Sequence, residues 1–424
     1  MARIFGIDFG TTNSVVAELS VDGSVTSRVF PQDGTLHDVF RTVLCFWHEQ
    51  GRGRAGLRHE AGPAAIETYL DDPLESRLIM SMKSYLAQRS FTQTNIFGRV
   101  FTLEEMIALF LRALLGDEKN VRIVAGRPVR FAGEFADDDF GEARLRAAFA
   151  AAGLPDIETA YEPEAAGYRF IRALDRPANV LVGDFGGGTS DFSVLRFTPG
   201  ASVPIRTLAN TGVGVAGDSF DYRIIDNVVS PLLGKGDLYR VPMGSDMPVP
   251  IEYFTSFAHW HRLSLMRSPR VLRDIEEVAR MAHHPRKLRN LISLIKDESG
   301  YHLYQAVSRV KAELSHADNA KLTFEHEDFT LDQEISRTAF EGWITPELTK
   351  LEASVEAVLT EAQMLPEQID RVFLTGGTSF VPAVRQLFLD RFGAEKLMGG
   401  GEFVSVAEGL ALIGRDRMVK AELQ

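Results

Sequence analysis

The sequence predicts an α/β protein built from two related halves, and three observations carry that expectation. Apolar runs of strand length alternate with segments of helical spacing. A strand, a glycine-rich turn and a return strand occur twice, around Asp8-Phe9-Gly10-Thr11-Thr12 and around Asp184-Phe185-Gly186-Gly187-Gly188-Thr189. At 424 residues the chain exceeds one ordinary core, so two lobes are expected.

The elements follow in order. Arg3 to Asp8 reads as a strand, Gly10 to Asn13 as its turn and Ser14 to Leu19 as the return strand. The turn Val21-Asp22-Gly23-Ser24 leads into a third strand, Val25 to Phe30. Gln50 to Gly56 reads as a loop, Ala64 to Leu70 as a short helix, and Ser76 to Arg89 as a helix carrying Lys83. Leu103 to Leu115 has helical spacing, with Thr102 and Glu105 as a capping box. Val121 to Ala125 is a buried strand, Glu142 to Ala152 a helix stopped by Gly153, and Ile157 to Tyr161 a strand. A helix starts at Glu162-Pro163-Glu164 and runs to Leu174.

The central hairpin, Leu181 to Phe197, is followed by a strand over Val203 to Leu208 and a helix over Asp218 to Val229. Pro231 to Pro250 is proline-rich and loop-like, and residues 255 to 300 are mostly helical. His302 to Ser315 is a helix, and Lys321 to Phe324 pairs with Phe329 to Glu334. One long helix starts at Ser336 and ends before Pro366. Then come the strand Arg371 to Leu374, the tight loop Thr375 to Thr378, and helices over Ser379 to Phe392 and Val404 to Ile413. The charged stretch Arg415 to Gln424 reads as a tail.

Composition narrows the function. Hydrophobic content of 45% with 25% charged residues is that of a globular protein. The net charge of −12 argues against general nucleic-acid binding. A single cysteine, Cys45, excludes an internal disulfide and suits a reducing cytoplasm. No apolar run approaches the roughly 20 residues of a membrane span, and the N-terminus runs straight into a strand without a signal peptide. A cytoplasmic monomer without membrane contact is expected.

The two hairpins carry the chemistry. Three consecutive glycines lower strand stability, so they call for a reason. Close approach of backbone N–H groups to a phosphate is one, with Thr189 adding a hydroxyl. An ordinary glycine-rich hairpin is the alternative. Asp184 and Asp191 would repel a phosphate unless a hard cation such as Mg²⁺ lay between.

Four stretches, IDFGTTNS (7–14), MKSYL (82–86), DFGGGTSD (184–191) and FLTGGTSFVP (373–382), together resemble the actin-like ATPase superfamily. Within it they resemble the nucleotide-binding domain of the heat shock protein 70 family, and YEPEAAG (161–167) is similar to its linking segment. The resemblance runs from residue 3 to about 415 and looks closest to the YegD-like, chaperone-like subgroup. It implies two lobes, each a five-stranded mixed sheet of ribonuclease H type with an inserted subdomain, and nucleotide in the cleft between them. The expected lobes are residues 1–178, with an insertion at about 38–111, and 179–424, with an insertion at about 222–308.

The resemblance also implies roles. Gly10, Thr11, Thr12 and Asn13, with Gly186, Gly187, Gly188 and Thr189, would hold the phosphates of ATP or ADP. Asp8 and Asp184 would hold Mg²⁺, mostly through water. Lys83 would position the attacking water, and Glu162 would orient water and metal. Asp191 would lie near the phosphates and a monovalent cation, with K⁺ as a candidate. Gly217, Lys311 and Ser315, with Gly376, Gly377, Thr378 and Phe380, would surround the adenosine. Read as residues alone, Lys83 is a solvated helix lysine, Glu162 a helix cap and Pro128 a strand terminator.

The base end departs from the family pattern. Ser308 and Ala312 stand where the family has a glutamate and an arginine, and Phe380 and Phe403 replace an arginine and an aspartate. Phe380 either stacks on a purine or fills the space left by lost arginines. His259, His261, His283 and His284 lack matching cysteines or carboxylates and read as surface residues, and Arg262 to Arg289 as a solvated basic face or a partner surface.

The expected function is an Mg²⁺-dependent, slowly ATP-hydrolysing, chaperone-like protein whose lobes close on nucleotide. A nucleotide-responsive regulatory module with little hydrolysis is the alternative, with a sugar or acid kinase and a filament protein behind. The family's peptide-binding domain is not expected in this sequence, and no client, protein partner or co-chaperone is named by it.

Overall fold

The computed structural model describes residues 3–20, 22–32, 35–49, 56–72, 75–116, 118, 121–133, 136–171, 174–201, 205–241, 244–259, 266–296, 300–326, 329–398 and 404–422. The predicted loop over 50–55, His261 and Phe403 lie outside them. Two compact units emerge, one of residues 1–216 and 349–424, the other of residues 217–348.

The first unit holds two sheets of one topology. In the first, the order is Ile157–Tyr161, Val121–Arg127, Arg3–Asp8, Asn13–Leu19, Val25–Ser27. In the second it is Leu397–Met398, Arg371–Thr375, Ala178–Phe185, Ser190–Phe197, Ile205–Val213. Each is a three-strand antiparallel meander extended by two parallel strands on the side of its first strand. The repeat seen as two glycine hairpins is therefore a repeat of whole sheets. The mixed α/β architecture agrees with the actin-like ATPase fold.

The parallel strands are buried runs, as strands covered on both faces must be. Val180, Leu181 and Val182 are fully buried, as are Val124 and Ala125. Helix Ser405–Glu422 packs on helix Glu162–Ile171 and on strand Arg3–Asp8. The approach is close enough to need glycine. A Cβ on Gly409 would sit 1.7 Å from the Ala165 carbonyl oxygen, and one on Gly6 would sit 2.0 Å from that of Ala407. Phe5, Phe9, Phe40 and Phe110 form the core beneath the first hairpin.

An inserted sheet has Val43–His48 at its centre, flanked by Leu57–Ala61 and Ser76–Met80. This corrects the predicted helix over Ser76–Arg89. Ser76–Met80 is a strand, and a 3₁₀ turn over Met82–Tyr85 carries Lys83. Pairing from Val43↔Met80 to Trp47↔Ser76 overrides the helical preference of Leu and Met, and Ser81 at φ 54° stops any helix from crossing.

Other boundaries shift for local reasons. The helix placed at Glu142 starts at Asp138, because Asp137 caps it through the Phe140 N–H. The long helix after Ser336 is two, Arg337–Trp343 and Thr345–Glu361, since Pro346 cannot continue the first. The charged tail is helical as far as Glu422. Gly377–Phe380 is a 3₁₀ turn, and the following helix starts at Pro382. The capping box of Thr102 and Glu105 forms as expected.

In the second unit, helix Gly217–Ile224 runs into a π turn over Ile225–Val229. Short strands Leu238–Arg240 and Asp246–Pro248 pair within the proline-rich stretch read as loop. Helices Pro269–Met281, Pro285–Lys296 and Gly300–Leu314 follow, then the hairpin of Asn319–His326 with Phe329–Ser336. No helix among the described residues is long and apolar enough to cross a membrane.

Candidate functional site

Two glycine turns and the Lys83 turn meet in the first unit. Asp8 ends its strand opposite Val15, and the turn that follows needs glycine: a Cβ on Gly10 would lie 2.0 Å from the Asn13 carbonyl oxygen. In the second hairpin Asp184 faces Asp191 across the strands, and the Gly186 N–H donates to the Thr189 carbonyl at 2.9 Å. A Cβ on Gly188 would stand 3.6 Å from Ser84 Oγ and 3.7 Å from Thr11 Oγ1. The three turns thus frame one space bordered by hydroxyls and small residues. Beside it, Thr375 pairs with Asp184, and Gly376 takes φ +86° with its Cα against the Phe185 carbonyl, where a Cβ would fall at 2.0 Å.

The charged groups are crowded. Lys83 Nζ donates to Glu162 Oε1 at 2.6 Å, and both side chains are buried. Asp191 Oδ1 accepts from the Val129 N–H at 2.9 Å and the Arg130 N–H at 3.3 Å, which ties the second hairpin to the segment after Pro128. Burial pushes Asp8 up to about 7, with Glu162 adding to the shift and Lys83 opposing it. Asp191 is likewise pushed up to about 7 by burial and by Glu162, against the Arg130 amide, Thr189 and Lys83. Burial, Glu162, Asp8 and Asp191 together raise Asp184 well above the carboxylate range. Burial works against the charge on Lys83, but Glu162 and Asp8 outweigh it and keep the amine protonated.

Four carboxylates therefore share one lysine, a deficit of positive charge that a divalent cation would correct. At Asp8 and Asp184 the charge of Lys83 opposes the shift, but burial and the neighbouring carboxylates outweigh it. No three His, Cys, Asp or Glu side chains among the described residues converge as a direct ligand set. That combination fits Mg²⁺, which keeps several of its waters and takes one or two carboxylates.

The other predicted residues are placed as follows. Asn13 Oδ1 accepts from Arg41 Nη1 at 3.0 Å. Thr378 is buried and Phe380 is exposed. Gly377 has open space where a Cβ would be. In the second unit, Gly217 begins its helix and Ser315 follows the end of helix Gly300–Leu314. Lys311 Nζ donates to Asp221 Oδ2 at 2.9 Å and to the Gly217 carbonyl at 3.1 Å.

Sequence reasoning missed Asp221, a buried acid on the apolar face beside Phe220 and Ile224. Its signal was an acid interrupting a run of core positions, which calls for a buried partner. It also missed Ser84 and the amides of Val129 and Arg130. Backbone donors leave no mark in a sequence.

A profile of the family described as "Hsp70 protein" matches residues 89–237 and 279–415, more than half of the chain. The chain belongs to the Hsp70 family. Two curated relatives illustrate the likeness. A "Chaperone protein DnaK" of Thermus thermophilus is 26% identical over 97% of this chain, and one of Thermotoga neapolitana is 27% identical over 96%. These alignments cover 60% and 58% of the relatives, so this Hsp70 chain spans under two thirds of their length. The four motifs around Asp8, Lys83, Asp184 and Gly376 are thus carried on a chain whose family assignment rests on most of its length.

Proposed function

We propose that this Hsp70-family chain binds ATP and ADP with Mg²⁺, hydrolyses ATP slowly and acts as a chaperone-like switch of the YegD type. The observation that carries this is the buried Lys83–Glu162 pair set among Asp8, Asp184 and Asp191, where two glycine turns meet. Phosphoryl transfer to water needs positioned charge more than covalent chemistry. The amides and hydroxyls of Gly10 to Asn13 and Gly186 to Thr189 would bind the β- and γ-phosphates. Mg²⁺, held by Asp8 and Asp184 through water, would neutralise phosphate charge. Lys83 would face the γ-phosphate, and Glu162 would take the proton side of a bound water. Asp191 fixes the second hairpin while contributing negative charge suited to K⁺. Lys311, Ser315, Gly217 and Gly376 to Phe380 are assigned to the adenosine. Lobe closure, with lobes at 1–178 and 179–424, is the proposed output, and the protein acts as a cytoplasmic monomer with a partner yet to be named.

One observation favours the second reading, a regulatory module with little turnover. Lys83 already has a short bond to Glu162, so the lysine must leave or share that partner to act on phosphate. Single-turnover hydrolysis of radiolabelled ATP with Mg²⁺, beside a crystal structure with nucleotide bound, separates the two. Bound ATP without phosphate release over hours selects the module, and absence of binding removes both.

A further inference from the structure

The turn that carries Lys83 is short, strained and far from self-supporting. Ser81 enters it at φ 54°, a left-handed conformation that non-glycine residues rarely adopt. Beyond it, the chain from Leu86 to Phe91 turns back without forming a helix or strand. Its internal support is a few turn bonds, such as Leu86 N–H to the Lys83 carbonyl at 3.2 Å and Gln88 Nε2 to the Ser84 carbonyl at 2.8 Å. Such a segment needs outside groups to stay in one conformation.

Arg144, on helix Asp138–Ala151, supplies them. Its side chain is 6% exposed. Nη1 donates to the carbonyls of Tyr85 at 3.2 Å and Phe91 at 3.0 Å and faces that of Leu86 at 3.5 Å. Nε donates to Glu104 Oε1 at 2.5 Å, which balances the buried charge from the first turn of helix Leu103–Leu115. The N-cap of helix Asp138–Ala151 adds a bond from the Asp137 N–H to the Ala87 carbonyl at 3.2 Å. A guanidinium has five donors in a rigid plane, so one side chain can read a carboxylate and two or three carbonyls at once. Burying a permanent charge is costly unless each of its donors is used. A leucine or methionine would fill the space more cheaply if filling were the purpose.

We propose that Arg144 is a positioning residue for hydrolysis, holding the 85–91 segment so that the preceding turn aims Lys83. This rests on the role of Lys83 given under the proposed function. Arg144 touches no reacting group and acts through the backbone of the turn.

Four variants of the full chain test it: Arg144→Met, Arg144→Lys, Lys83→Met and the Arg144→Met/Lys83→Met double. Amide exchange of residues 82–91, read by mass spectrometry without nucleotide, is expected to quicken about tenfold in Arg144→Met and less in Arg144→Lys. At saturating ATP, Arg144→Met is expected to lower kcat about tenfold with KM within about twofold, and to cost nothing further once Lys83 is gone. Unchanged exchange over 82–91 overturns the clamp. Fully additive losses in the double variant overturn its action through Lys83. If Arg144→Met does not fold, Arg144→Lys carries both readouts with a smaller effect. If Lys83→Met alone leaves hydrolysis unchanged, the proposed function falls. The exchange result then decides the clamp by itself, supporting it if faster and overturning it if not.

Discussion

Replacing Asp191 by Asn separates the two things this side chain does. Its Oδ1 holds the amides of Val129 and Arg130, and its charge sits buried near Glu162. Asn keeps the accepting oxygen and the shape, which matters because a Cβ on the adjacent Gly212 would already fall 2.4 Å from Oδ1. The charge alone is removed. In the unfolded chain an aspartate titrates near 3.8, and here it is pushed up to about 7. Between those values the folded state holds the proton more tightly, so folded stability falls as pH rises through the window. At about 1.4 kcal/mol per unit the ionised carboxylate costs at most about 4 kcal/mol at pH 8, and about 1.5 kcal/mol at pH 5. Halving both for relaxation and water entry leaves Asp191→Asn about 2 kcal/mol more stable at pH 8 and under about 1 kcal/mol at pH 5. Urea unfolding of the nucleotide-free chain in EDTA at the two pH values measures this. Asp191→Ala should be less stable than Asp191→Asn at both, since the part-buried amides of Val129 and Arg130 would lose their acceptor. A gain from Asn that is equal at both pH values, or a loss at pH 8, would refute the reasoning.

Further outcomes are expected. Lys83→Ala should cut hydrolysis at saturating ATP at least about tenfold while leaving nucleotide affinity within a fewfold, because the lysine acts in the transition state; equal turnover removes it from the mechanism. Asp8→Asn and Asp184→Asn should each weaken Mg²⁺-dependent nucleotide binding, and turnover that persists in EDTA would contradict the metal assignment. Calorimetry should give micromolar or weaker ATP affinity with GTP within about tenfold, since each lost charged hydrogen bond at Ser308, Ala312 and Phe380 is worth about 1.5–3 kcal/mol. Nanomolar ATP with strong rejection of GTP would show a rebuilt base pocket.

Strand-turn-strand units were the most legible part of the sequence, because their signals are local. Asp8 to Thr12 and Asp184 to Thr189 contain both the turn glycines and the acids, and the predicted strands Arg3–Asp8 and Ile157–Tyr161 match to the residue. The Lys83 segment was misread for the opposite reason. Leu78, Ile79 and Met80 suit a helix or a strand, and the choice was made by Val43–His48, some thirty residues upstream. The split of the Ser336–Pro366 helix was legible in Pro346 and overlooked. The carbonyl contacts of Arg144 and the amide bonds of Asp191 were not legible, because both engage main-chain groups whose positions depend on the finished fold.

The repeat of the two sheets explains why the acids gather. Each meander begins with a strand whose last residues are an aspartate followed by a glycine turn, so the duplicated topology places Asp8 and Asp184 at equivalent strand ends. Glu162 reaches the same place by a different route: it opens the helix after the outermost parallel strand of the first sheet. Lys83 comes from the turn that follows the inserted sheet, outside the repeat. A symmetric pair of acids and an asymmetric lysine–glutamate pair give the site a direction; under the proposed function, Asp8 and Asp184 would form its metal side and Lys83 and Glu162 its proton side. The asymmetric pair depends on a turn that the repeat does not build. For that reason the supports of that turn, Arg144 and the Ser81 backbone, are where single substitutions should alter rate without removing nucleotide.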